Sequence, residues 1–271
     1  LDSGLSGLPP FLVRDGGVIA RRNLAGVRRT PGALVTGVAQ PIIFVLILAF
    51  VFGGALGGDA YREFLIGGIL AQTLVFNSSF TAVYLAKDLQ TGLIDRFRAL
   101  PMSRVGVIFG RTLSDLVTST ISVLVIIGCG LLIGWRVHNG ILPAVWAAGL
   151  LLLFAVATSW IGAFIAMSAR SVEVAQSVGL LWLFPVCFIS GAFVSADMLP
   201  GPLRAIAEWN PVTAVATAVR QGFGNEAPAG FAAAGGWPAE NALLYSVLCC
   251  VAIIAIFAPL AVQQYRSISR R

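Results

Sequence analysis

Charged residues interrupt this chain at few places, and the intervals between them set its architecture. Uncharged, mostly apolar runs cover residues 30–58, 64–86, 116–135, 137–169, 174–196 and 241–265. Each is about 20 residues or longer, and at ~1.5 Å per residue a helix of that length crosses the ~30 Å hydrocarbon core of a bilayer. Period-2 alternation is absent, and a helix satisfies its own backbone hydrogen bonds in lipid. The pattern predicts an all-α polytopic membrane protein with six transmembrane helices, at about 36–56, 64–86, 116–134, 143–168, 174–194 and 241–262.

The segments between the runs have their own order. Residues 1–10 are rich in Gly, Ser and Pro and lack a basic stretch leading into an apolar one, so no signal peptide is expected. Over 11–29, Arg14, Arg21, Arg22, Arg28 and Arg29 share one helical arc, while Leu12, Val13, Ile19, Ala20, Leu24 and Val27 share the opposite one. That predicts an amphipathic helix on the cytoplasmic leaflet; a basic flank that only orients the first span is the plainer alternative. Residues 87–104, KDLQTGLIDRFRALPMSR, form the longest strongly polar stretch between the first and last apolar runs. Leu89, Leu93, Phe97 and Leu100 recur at i, i+4, i+8 and i+11 on one helical face, and Pro101 stops the helix. Between the fifth and sixth runs, 203–207 and 212–223 are apolar but too short to cross, and five prolines punctuate the region. Short reentrant helices between spans five and six fit it better than an exposed loop. The expected organisation is a cytoplasmic tail and amphipathic helix over 1–29, a six-span domain over 30–265 and a basic cytoplasmic tail over 266–271. The domain contains the loop 87–104 and an outer reentrant region, 195–240.

Charge adds an orientation. With the N-terminus in the cytoplasm, fourteen of the eighteen Lys and Arg residues lie inside, leaving only Arg62, Arg136, Arg204 and Arg220 outside. The excess of +6 thus needs no nucleic acid, because the anionic cytoplasmic leaflet suffices. Cys129, Cys187, Cys249 and Cys250 all lie in apolar runs without a CxxC and read as small hydrophobes.

Several chemistries are excluded. The one histidine, His138, has no companions for a metal site or a triad, and the single lysine follows Ala86 rather than a glycine, so there is no Walker A motif. The cores of all six runs lack Asp and Glu, which argues against ion coupling. No enzymatic site is expected, and no cofactor or metal. A transporter of this kind takes its energy from a partner, and the amphipathic loop is where that partner could push.

Three stretches resemble a known family. GLIDRFRALPMSRVGVIFGR (92–111), LLIGWR (131–136) and WNPVTAVATAVRQ (209–221) are similar to segments of type-2 ATP-binding-cassette exporter permeases, specifically the daunorubicin/doxorubicin-resistance permeases. The resemblance covers essentially the whole chain. It implies a permease subunit of an efflux complex in the bacterial inner membrane, with both termini cytoplasmic, exporting amphipathic drugs or lipid-like compounds. ATP and Mg would bind a separate nucleotide-binding subunit, and a second permease, identical or homologous, would complete the pathway. Membrane lipids are the remaining partner. The resemblance makes 87–104 a coupling helix, with Leu93, Asp95, Arg96, Phe97, Arg98, Leu100 and Pro101 against the ATPase. It places a pathway along spans two and five, where Asn77, Phe80, Phe184 and Phe188 are candidates. Export of a cell-envelope lipid or polysaccharide, or a scaffold without transport, remain the alternatives.

Overall fold

The computed structural model describes residues 31–53, 58–91, 104–193, 199–225 and 236–268, and within them every regular element is a helix. The segment 11–29 and the loop residues Leu93, Asp95, Arg96, Phe97, Arg98, Leu100 and Pro101 lie outside the described residues. Helix α1 is Pro31–Leu46 and runs on through a π-helical turn, Ile47–Phe52. It is followed by α2 (Asp59–Gln90), α3 (Arg104–Leu132), α4 (Ile141–Ser168) and α5 (Val172–Phe188). Two short helices, α6 (Gly201–Glu208) and α7 (Pro211–Phe223), come next, then one turn, α8 (Trp237–Glu240), and α9 (Ala242–Ile268).

Among the described residues, α2, α3, α4 and α9 are long and apolar enough to cross a membrane, while α1 and α5 contribute shorter apolar stretches. The boundaries depart from the apolar runs in two informative places. Helix α2 continues past its run to Gln90, so the beginning of 87–104 is a direct extension of the second apolar helix. Leu89, the first residue of the expected stripe, packs against the small core that holds Met167 and Tyr265. Helix α5 ends at Phe188, six residues before the expected end of the fifth span. It passes through Pro185 before stopping. Its 17 residues rise only about 26 Å, less than the ~30 Å of a hydrocarbon core.

Helix α2 is the axis of the bundle. It packs on α4, α5, α3 and α7, and α9 in turn packs on α4. Hydrophobic burial does not drive helices together in lipid, so close fit must do so, and small side chains permit it. The crossing of α2 and α4 illustrates this. A Cβ on Gly162 would collide with the carbonyl of Ser78, and one turn earlier the Thr158 hydroxyl donates across to Leu74 O at 3.3 Å. One core of buried residues surrounds Leu65, Ile69, Phe154 and Val215; a smaller one gathers Leu85, Ala166, Ala175 and Tyr265.

One end of the bundle is capped. The start of α2, the end of α5, helix α7 and the turn between α3 and α4 all meet there, as the hydrogen bonds described next establish.

Candidate functional site

Helix α7 begins at Asn210-Pro211, a sequence suited to starting a helix. Pro211 has the φ of a first helical turn and no N–H to lose. Asn210 accepts from Val212 N at 2.8 Å as the N-cap. Its amide nitrogen has a second task, donating at 2.7 Å to both Val186 O and Ile189 O. Those carbonyls belong to the last turn of α5 and to its C-cap, Ile189, where no helical N–H follows. One side chain therefore starts α7 and finishes α5. Thr213, in the first turn of α7, accepts from Gly191 N at 2.8 Å.

Arg220 completes the junction. It is 6% exposed, and Arg220 Nε donates to Phe64 O at 2.7 Å, Nη1 to Gly191 O at 3.0 Å and Nη2 to Ala192 O at 2.6 Å. The guanidinium carbon also stands 3.5 Å from the centre of the Phe64 ring. Charge-assisted hydrogen bonds contribute ~1.5–3 kcal/mol each against ~2 kcal/mol for a desolvated cation–π contact, so the carbonyls dominate. Tyr61 adds a bond from its hydroxyl to Phe193 O at 3.2 Å. The chain can come this close only because Gly68 faces Ala192; a Cβ there would run into the Ala192 carbonyl. Residues 189–193 are thus a turn bound to α2 and α7, not the last turns of a span.

The far end of α7 is held by the α3–α4 turn. Trp135 Nε1 donates to Asn225 Oδ1 at 2.9 Å, Asn225 Nδ2 donates to Arg136 O at 3.0 Å, and His138 N donates to Phe223 O at 2.8 Å. Trp135, at the end of the third apolar run, is 1% exposed and edge-on to Phe223 at 5.1 Å. Its indole N–H finds an acceptor inside the cap, which removes the need for interfacial water. His138 does lie in an exposed turn, 3.7 Å from Glu63.

The candidate pathway residues are placed in different surroundings. Phe184 and Phe188 are brought together, stacked at 5.7 Å and 49% and 58% exposed on one face of α5. Phe80 is exposed on α2, next to Ser79, whose hydroxyl donates to Gly179 O of α5 at 2.9 Å. Asn77 turns toward α3, donating to the Ser119 and Ser122 hydroxyls at 3.3 and 3.4 Å. It also borders a narrow polar notch between α1 and α2 with Gln40, Gln72 and Thr73. The amide nitrogen of Gln72 is buried there without an acceptor among the described residues.

Sequence reasoning counted Arg220 as one of four outside bases and missed its role. The available signal was its isolation, a single charge in the apolar stretch VTAVATAVRQGF.

One family model matches most of this helical chain. The ABC-2 type transporter model matches residues 16–223, from before α1 to the last residue of α7. The chain belongs to the ABC-2 type transporter family. This ABC-2 chain is 31% identical over 248 residues to the daunorubicin resistance ABC transporter permease protein DrrB1 of Streptomyces coeruleorubidus, covering 91% of the chain and 84% of the relative. It is also 23% identical over 198 residues to a Mycobacterium tuberculosis protein named "probable doxorubicin resistance ABC transporter permease protein DrrC", covering 72% and 71%. The ABC-2 match includes Arg220, Asn210 and the four candidate pathway residues.

Proposed function

We propose that this ABC-2 chain is the permease subunit of an ATP-driven exporter of amphipathic drugs in the bacterial inner membrane. The observation that carries the reading is the 31% identity, over nearly the full length of both chains, with a permease named for daunorubicin resistance. Six spans formed by α1 to α5 and α9 fit the charge map, with both termini cytoplasmic and the capped end outside. Helices α6 and α7, about 12 and 20 Å long, are then reentrant.

The sequence lacks the Gly-Lys of a phosphate-binding loop, so ATP and Mg belong to a separate nucleotide-binding subunit. That subunit would engage Leu93, Phe97 and Leu100, with Asp95, Arg96 and Arg98 setting orientation and Pro101 ending the helix. Because α2 runs unbroken to Gln90, a push on the loop would travel along the axis of the bundle to Phe64 and Gly68 under the cap. A second permease, identical or homologous, would complete a pathway along Phe80, Phe184 and Phe188, with Asn77 at its polar margin. Their exposed aromatic faces suit planar, amphipathic cargo.

The test is co-expression with the candidate ATPase, followed by co-purification and ATP hydrolysis with and without an anthracycline. A stable complex with drug-stimulated hydrolysis is expected. Failure of the two chains to associate rejects the reading.

A further inference from the structure

On the side of α5 away from Phe184 and Phe188, a cleft of about 410 Å³ lies between α2, α4, α5, α7 and α9, with α6 at its rim. Trp182 and Val186, one turn apart, form its α5 wall, opposite Phe154 of α4 and Ile253 of α9; Ile206 and Trp209 form the rim. Among the described residues, no Asp, Glu, Lys or Arg lines it. Of its polar side chains, Thr158 and Asn210 are already engaged, while the indole N–H of Trp182 is buried without an acceptor among the described residues. The Thr158 hydroxyl donates to Phe154 O at 3.0 Å, and Asn210 spends both amide hydrogens and its oxygen on α5 carbonyls and Val212 N. Apart from that one N–H the walls offer hydrocarbon, too little polarity to hold a cluster of water. Its volume is within the ~300–1,000 Å³ of sites that hold one small ligand.

Two features say what fills it. The cleft is continuous with the most exposed of the long helices, α9, whose Leu248, Val251 and Ile256 face outward and, in an ABC-2 membrane protein, meet lipid tails. At its rim stands an aromatic cluster in which Tyr245 lies edge-on to Trp209 at 5.7 Å and to Trp237 at 6.0 Å, and the Tyr245 hydroxyl donates to Trp209 O at 2.7 Å. Exposed Trp and Tyr of this kind gather at the headgroup level of a bilayer. We infer that the cleft is a lipid site, taking one acyl chain of a phospholipid from the leaflet at the capped end. The glycerol ester lies level with Trp209 and Trp237, and the chain reaches past Val186 to Phe154. Without a cation on its walls the site selects the tail and not the headgroup. The bound chain rests on Val186 and Val212, the two helices that Asn210 joins, and so supports the cap from the side opposite the aromatic pair.

The full chain, reconstituted in phosphatidylglycerol–phosphatidylcholine bilayers and gently extracted, is examined by native mass spectrometry for retained phospholipid. Ile206 is 55% exposed at the rim, so Ile206→Trp narrows the mouth without disturbing the core. Ile256→Trp, on the exposed face of α9, is the control. One retained phospholipid per wild-type and Ile256→Trp chain is expected, without preference for either headgroup, and a roughly tenfold loss in Ile206→Trp. Equal retention by all three chains overturns the inference. So does displacement of the lipid by stoichiometric anthracycline, which gives the cleft to cargo. A shift in oligomeric state of Ile206→Trp with lipid unchanged also overturns it, giving the cleft to a second copy.

Discussion

The Nη2 of Arg220 donates to the carbonyl of Ala192 at 2.6 Å, fastening helix α7 to the turn that follows α5. Its Nε holds Phe64 O near the start of α2 with the same planar group. Three elements separated in sequence thus share one guanidinium, buried away from any replacement donor.

Arg220→Met is expected to remove the side-chain donor from the Gly191 and Ala192 carbonyls, each costing ~1–3 kcal/mol, and a second donor from Phe64 O, which lies within helix α2. Arg220→Lys keeps the charge, but a single ammonium lacks the fork that reaches all three. Thermal denaturation of the detergent-solubilised chain should rank wild type above Arg220→Lys and Arg220→Lys above Arg220→Met. Equal stability of all three chains would mean that neither charge nor geometry at this position matters.

Gly68→Ala should produce a lesion of the same kind, since its methyl meets the Ala192 carbonyl that Arg220 holds. The two changes act on one contact and should couple. The double variant Gly68→Ala with Arg220→Lys is expected to lose less stability than the two single losses combined, by ~0.5 kcal/mol or more. Strict additivity would place the effects in separate parts of the molecule.

Asn210 separates two roles by substitution. Asp is as good an N-cap as Asn, so if capping α7 were its whole function Asn210→Asp would be nearly silent and Asn210→Ala would cost ~1 kcal/mol. Because the amide nitrogen also faces Val186 O and Ile189 O at 2.7 Å, a carboxylate there opposes two carbonyls. Asn210→Asp is therefore expected to be the less stable of the two at neutral pH, measured by the fraction recovered folded after extraction. The reverse order would confine Asn210 to capping.

Much of the helical plan is legible because lipid makes charge expensive. Long uncharged runs are where helices can lie, and α2, α3, α4 and α9 follow them. The end of α5 is illegible for the same reason. Residues 189–193 are as apolar as a helix, and what stops them is a set of bonds from Thr213 and Arg220, more than 20 positions away. A hydropathy count registers Arg220 as a charge but cannot register carbonyls that solvate it. Asn210-Pro211 is legible only within the resemblance of 209–221; its cap on Val212 is a short-range interaction, whereas its reach to Val186 is not. The role of Trp135 is illegible because tryptophan suits both a membrane interface and a buried hydrogen bond, and its partner Asn225 is 90 positions away.

The most direct test of the account is ATP-dependent anthracycline uptake into inside-out vesicles containing this chain and its ATPase partner, beside the Phe97→Ala variant. Wild-type vesicles should accumulate drug only when ATP and the partner are both present. Phe97→Ala vesicles should hold the same amount of inserted permease and accumulate none. Uptake by the wild-type chain without the ATPase, or undiminished uptake by Phe97→Ala, would contradict it.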